Sequence, residues 1–139
     1  MFAFTMNVAP ALIRDCMREA GWQPTEVDLF AIHQANKQIL EMVVSKAVIP
    51  LERTPTDVFS KYANSSTNSV MTVICDQPKN KCLDKAILCT FGIGLSWGGA
   101  ALSLAGIYNG GISFYQEQAY KLSRDKLIEH IVSAFQKGT

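Results

Sequence analysis

The stretch LFAIHQAN, Leu29 to Asn36, decides the fold. Leu29 to Ile32 is short and wholly apolar, the pattern of a strand buried on both faces. The apolar run stops at His33, and from Asn36 the period changes. Ile39, Leu40, Val43, Val44 and Ala47 share one face of a helix over Asn36 to Ile49, which Pro50 ends. A buried strand feeding into a helix is a unit of a layered α/β sheet.

On the N-terminal side, Phe2 to Ala20 reads as helix, with Leu12, Ile13, Cys16, Met17 and Ala20 at helical spacing and Gly21 as a stop signal. Pro10 predicts a kink or a fresh start inside it. Gln23 to Asp28 is a turn. On the C-terminal side, Leu51 to Thr56 is loop and Val58 to Tyr62 reads as a short strand. The polar run Asn64 to Ser69 offers N-cap residues for a helix through Cys75. After a loop at Pro78 to Lys81, Lys85 to Phe91 (KAILCTF) is a strand, Phe91 to Trp97 a glycine-punctuated turn, and Trp97 to Ile107 a small-residue strand. The last two strands are joined by too few residues for a crossover helix, so they should be antiparallel. Beyond them, Ser123 to Phe135 has the stripe of an amphipathic helix: Leu127, Ile128, Ile131, Val132 and Phe135 behind an N-cap Ser123. That stripe either packs on the sheet domain or meets another chain.

The 139 residues are 48% hydrophobic and 18% charged, enough for one globular domain with a core. A net charge of +1 gives no basic stripe for nucleic acid. No apolar run reaches membrane-spanning length, and the apolar start MFAFTMNVAPALI lacks a basic lead-in, so it is expected to be helix rather than a leader. Cys16, Cys75, Cys82 and Cys89 show no CxxC spacing. They are expected as reduced thiols in a cytoplasmic protein, with no metal site.

Three places carry candidate chemistry. His33 should stand at the C-terminal end of a strand, where open α/β sheets gather ligands; the plainer alternative is a structural histidine satisfied by a carbonyl. Asn64 precedes a helix, so it is a ligand donor or a helix cap. The turn FGIGLSWGG, Phe91 to Gly99, has no Lys-Ser/Thr after it and leads into a strand, which excludes a P-loop. Its glycines permit close backbone approach to a ligand, and a free N–H there can serve as an oxyanion donor.

Together and in this order, HQAN at His33 to Asn36, ANSS at Ala63 to Ser66 and FGIGLSWGGAAL at Phe91 to Leu102 resemble the β-ketoacyl-(acyl carrier protein) synthase III enzymes of the thiolase superfamily. The resemblance covers roughly Phe2 to Ile107. It implies a fold class: the C-terminal half of a thiolase-like α/β enzyme, a layered mixed five-stranded sheet with helices. Residues 1–110 would form that domain, and 111–139 an extension holding the amphipathic helix. The missing N-terminal half would carry the nucleophilic cysteine, since none of the four cysteines lies in such a motif. The chain is therefore expected to be a fragment, an expressed domain or one piece of a split enzyme, inactive alone and prone to self-associate as a homo-oligomer through a face its other half would cover.

What the resemblance implies chemically is specific. An acyl thioester, usually acyl-coenzyme A, acylates the cysteine. Malonyl-acyl carrier protein is then decarboxylated and attacks it, with no bound cofactor. His33 and Asn64 match the pair that holds the malonyl thioester oxygen, with a neutral imidazole donating from Nε2 and an amide from its NH₂. Phe91 matches the aromatic wall beside the nucleophile. Ile93 matches the turn residue whose N–H holds the acyl oxyanion. Asn36 matches a position on the pantetheine arm. The pattern is broken at three places. Ala63 stands for a glycine, Ile93 for a small residue, and Gln38 for an arginine that receives the carrier, with Lys37 beside it. The alternative is a non-catalytic thiolase-fold partner subunit of a heteromeric condensing enzyme. Such degenerate relatives usually lose the histidine or the asparagine, and both are present.

Overall fold

The computed structural model describes residues 2–79, 82–92, 94–107, 109–113, 126, 128, 129 and 133. The elements are α1 (Phe2–Ala20), β1 (Leu29–Ile32), α2 (Lys37–Ala47), α3 (Val58–Tyr62), α4 (Ser69–Cys75), β2 (Lys85–Gly92) and β3 (Ser96–Ser103). Single 3-10 turns at Leu51–Arg53 and Ser66–Asn68 lie between them.

The strands form one mixed sheet in the order β1-β2-β3. β1 runs parallel to β2, with Leu29 opposite Ala86 and Ile32 opposite Cys89. β2 and β3 form an antiparallel hairpin with Phe91 opposite Trp97. All four residues of β1 are buried, and strand alternation explains how. Phe30 and Ile32 enter one core with Met6, Ile13, Leu40 and Ile87 beneath α1 and α2. Leu29 and Ala31 enter a second with Val58, Val70 and Val73 beneath α3 and α4. Helices on both faces make the wholly apolar strand stable. The Asp28 carboxylate ties the strand starts together, accepting the N–H groups of Asp84 and Lys85 at 3.0 Å each.

β3 is different. It borders the sheet and leaves Trp97 and Leu102 exposed. It docks on α1 through Gly99, where an added Cβ would lie 2.9 Å from Cys16 Sγ, 2.9 Å from Leu12 Cγ and 3.0 Å from the Leu88 carbonyl oxygen.

The structure corrects several expectations. α1 runs through Pro10 without a fresh start. Met6 and Ala9 before the proline and Ile13 and Met17 after it sit in one core, so both halves are held by the same packing. Val58–Tyr62 is helix, not strand. Val58 is buried in the second core, while the Asp76 carboxylate at the end of α4 accepts from Lys61 Nζ and Tyr62 Oη at 2.8 Å each. These contacts override the strand preference of a Val-Phe-Tyr composition. β3 ends at Ser103, short of Ile107. Among the described residues the sheet has three strands, where the resemblance implies five. In the C-terminal stretch Lys126, Ile128, Glu129 and Ser133 are helical. The rest of the expected helix, including Leu127, Ile131, Val132 and Phe135, lies outside the described residues.

Candidate active site

β1 and β2 are parallel, so both C-terminal ends lie at one edge of the sheet. His33 follows β1 there, and its backbone N–H donates to Cys89 O at 2.8 Å, one rung beyond the strand. The residue is only 6% exposed. It meets Phe91, near the end of β2, edge to face at 4.9 Å between centroids. Its Nδ1 lies 2.7 Å from the carbonyl oxygen of Ser66 and 3.1 Å from Ser69 Oγ. The roles at these two contacts follow the ring's tautomer, since a carbonyl oxygen only accepts while a hydroxyl both donates and accepts. Burial pushes the His33 pKa below its ordinary value, and the bond to Ser66 offsets part of that shift.

Asn64 lies in the exposed link between α3 and α4. It caps no helix. Its Oδ1 accepts the Ser66 N–H at 3.0 Å, which turns the amide so that Nδ2 is left to offer. The residue before it and the one two positions after it are held in unusual backbone. Ala63 has φ 61° and ψ −177°, a region that is nearly glycine-only, and Ser66 has φ 57°. The missing glycine at position 63 thus falls where the backbone most calls for one.

His33, Asn64 and Phe91 line one cavity of about 340 Å³ with Thr5, Ala35, Ile39, Ser66 and Gly92. A second hollow of about 360 Å³ shares Ser66, Phe91 and Gly92 and continues past Thr90, Ser96 and Trp97. The Thr90 Oγ1 that borders it is buried without a partner among the described residues. No charged side chain lines either space among the described residues.

Asn36 is not part of the cavity lining. Its Oδ1 caps α2, accepting the Ile39 N–H at 2.9 Å, and the residue is exposed one position from Ala35. Ile93 lies outside the described residues. Gln38 is exposed on α2, and Lys37 beside it pairs loosely with Glu41 at 3.9 Å. Thr5, Ser66 and Ser69 are site residues that the sequence reading missed. Thr5 is buried at 1% on an apolar helix face, a polar interruption that could have marked it. Ser66 and Ser69 sit in the run read for cap candidates, and Ser66 also closes the ANSS motif, but neither was assigned to the site.

The described cysteines are poor nucleophiles where burial governs them. The Cys89 thiol is pushed up to about 12 by burial, and Cys16 is raised by the same cause. Among the described residues no group of three or more His, Cys, Asp or Glu is placed to hold a metal ion. No described helix is long and apolar enough to cross a membrane.

A mixed sheet with helices on both faces thus carries a His–Phe pocket at the ends of its parallel strands. The chain belongs to the family described as 3-oxoacyl-[acyl-carrier-protein (ACP)] synthase III C terminal, which matches residues 17–104. It is 31% identical over 105 residues to a β-ketoacyl-[acyl-carrier-protein] synthase III of Porphyra umbilicalis, covering 73% of this chain and 32% of that protein. The β-ketoacyl-[acyl-carrier-protein] synthase III 2 of Deinococcus radiodurans is 33% identical over 105 residues, 73% of this chain and 31% of that protein. Among solved structures, the 3-oxoacyl-(acyl-carrier protein) synthase of Burkholderia xenovorans LB400 superposes with a TM-score of 0.67 at 34% identity, covering 73% of this chain and 30% of its own. The synthase III of Thermus thermophilus gives 0.64 at 28%, covering 73% and 32%. The chain thus spans about a third of the length of the relatives it matches.

Proposed function

We propose that this chain is the C-terminal domain of a 3-oxoacyl-(acyl carrier protein) synthase III-like acyltransferase. Within the whole enzyme it holds the malonyl thioester while decarboxylation generates the carbanion that attacks an acyl-cysteine. The observation that carries the reading is the single cavity lined by His33, Asn64 and Phe91 at the ends of β1 and β2.

Loss of CO₂ leaves negative charge on the thioester oxygen, and fixed donors aimed at that oxygen lower the barrier. Asn64 donates from Nδ2, because Ser66 holds its Oδ1. His33 donates from Nε2 as a neutral imidazole, the form that its burial favours. Phe91, only 4% exposed, walls the pocket against water. Ile93 supplies its N–H to the acyl oxyanion, and Asn36 meets the pantetheine arm from the start of α2.

The substrates in this reading are acyl-coenzyme A and malonyl-acyl carrier protein, and no cofactor is required. The partners are the N-terminal thiolase half, which brings the nucleophilic cysteine, the acyl carrier protein, and a second copy of the assembled enzyme. The setting is cytoplasmic. Residues 1–110 act as the domain and 111–139 as its extension. Without the other half the chain does not condense thioesters.

The test uses the whole enzyme, with this domain joined to its N-terminal half, and follows release of CO₂ from malonyl-acyl carrier protein. The expected result is a ~10²–10³-fold lower rate for His33→Ala. An unchanged rate would overturn the assignment and favour a non-catalytic partner subunit.

A further inference from the structure

Hydrogen bonds hold the two peptide groups that flank His33. In the peptide between Ile32 and His33, the N–H donates to Cys89 O at 2.8 Å. In the next, the His33 carbonyl accepts the Ala35 N–H and the Gln34 N–H donates to Ser69 Oγ, both at 3.0 Å. The remaining group is the Ile32 carbonyl. A trans peptide points its C=O opposite to its N–H, so this carbonyl turns away from β2. It lies at the outer edge of β1, beside which no further strand pairs among the described residues. Ile32 is fully buried, so its carbonyl needs a donor from elsewhere.

The donor is the side chain of Gln34, itself fully buried. Its Nε2 donates to Ile32 O and to Pro55 O at 3.0 Å each. Both partners only accept, so the NH₂ end faces them; the reversed amide would set its oxygen against two others. Pro55 is a fixed point. The residues before it are tied to the entry of β1 by Arg53, whose Nη1 donates to Thr25 O at 2.6 Å and to Val27 O at 2.7 Å. The other end of the amide gains nothing, because Oε1 is buried with no partner among the described residues. An unpaired acceptor in a core is destabilising, so filling space does not account for an amide at this position. Holding two carbonyls does.

We infer that Gln34 is a positioning residue for His33: its amide clamps the Ile32 carbonyl to the Pro55 loop, fixes the peptide that precedes the histidine, and so sets the direction in which the imidazole enters the cavity. Without the clamp that peptide is free to rotate, and the ring leaves its edge-to-face seat on Phe91. The effect on rate rests on the proposed reading of His33 as a reaction residue, but the structural readout does not.

In the wild-type chain, solvent exchange of the Gln34 side-chain amide, followed by ¹⁵N–¹H correlation, should be slow for both protons. Fast exchange of either overturns the inference. Gln34→Met keeps the length of the side chain and removes the donors. In the folded variant the His33 ring-proton shifts set by Phe91 should move toward those of free histidine, while those of His130 stay in place. Unmoved His33 shifts also overturn it. If Gln34→Met does not fold, Gln34→Glu, which keeps the shape without the NH₂, takes its place with the same two outcomes. In the whole enzyme Gln34→Met should lower kcat for malonyl decarboxylation by up to about 10²-fold, with KM little changed. Full activity of that variant, in an enzyme that His33→Ala inactivates, overturns the positioning role. If His33→Ala stays active as well, the proposed reaction falls, and the clamp read from the ring shifts stands.

Discussion

His33 and Asn64 look into one cavity from opposite kinds of backbone. His33 extends a strand whose four residues are buried, and its N–H continues the β1–β2 ladder. Asn64 stands in an exposed link, with Ala63 before it and Ser66 two positions on at positive φ, and is oriented by one Asx-type bond. Sheet packing on two faces places the histidine. Local turn chemistry, held against backbone strain, places the asparagine. A site assembled this way has one arm whose position is tied to global stability and one that can be altered with little effect on folding.

The largest test of that contrast is Phe30→Ala, which empties the core beneath the histidine's strand. It should lower the unfolding free energy by about 3–5 kcal/mol, read from urea titration. A loss of less than 1 kcal/mol would mean that the strand is not the anchor. Asn64→Ala should show the opposite signature. In the whole enzyme malonyl decarboxylation falls ~10²–10³-fold, while stability changes by about 1 kcal/mol or less. A large stability loss there would make the asparagine a structural residue. Ala63→Gly should go the other way and stabilise. Relief of about 1–3 kcal/mol of backbone strain outweighs the roughly 0.4–1 kcal/mol that glycine adds to the unfolded state's entropy. A raised urea midpoint checks it, and a lowered one would say that the position is relaxed.

Acid titration gives the smallest effect. The folded-state pKa of His33 is below its ordinary 6.5, so the unfolded chain binds the proton more readily. The ring's stabilising contribution is full above pH 6.5 and is lost as the pH falls through the lowered folded value. The wild type should therefore lose more stability than His33→Gln across that window. Equal slopes would show that the buried ring is not desolvated.

The sequence made some of this legible for physical reasons. Leu29–Ile32 could be read because a strand covered on both faces has no polar positions to blur it. The β2–β3 hairpin could be read because its link is too short for anything but an antiparallel return. VFSKY could not, since its local preference points to a strand while Val58 and the Asp76 contacts impose a helical turn. In the site, His33 was legible from its place after the strand and Asn64 from its motif. The His33 ring lies against a carbonyl, as the plainer alternative has it, and also lines the cavity. Ser66 and Ser69 were not legible as partners of His33, because the contacts join residues more than thirty positions apart.

The seat of Gly99 on α1 turns Cys16 into a built-in gauge. Its sulfur is half-covered where the border strand lies closest to the helix, so an alkylating reagent reaches it fully only when the two separate. The labelling rate of that thiol, set against global unfolding, therefore times the detachment of the hairpin's outer strand.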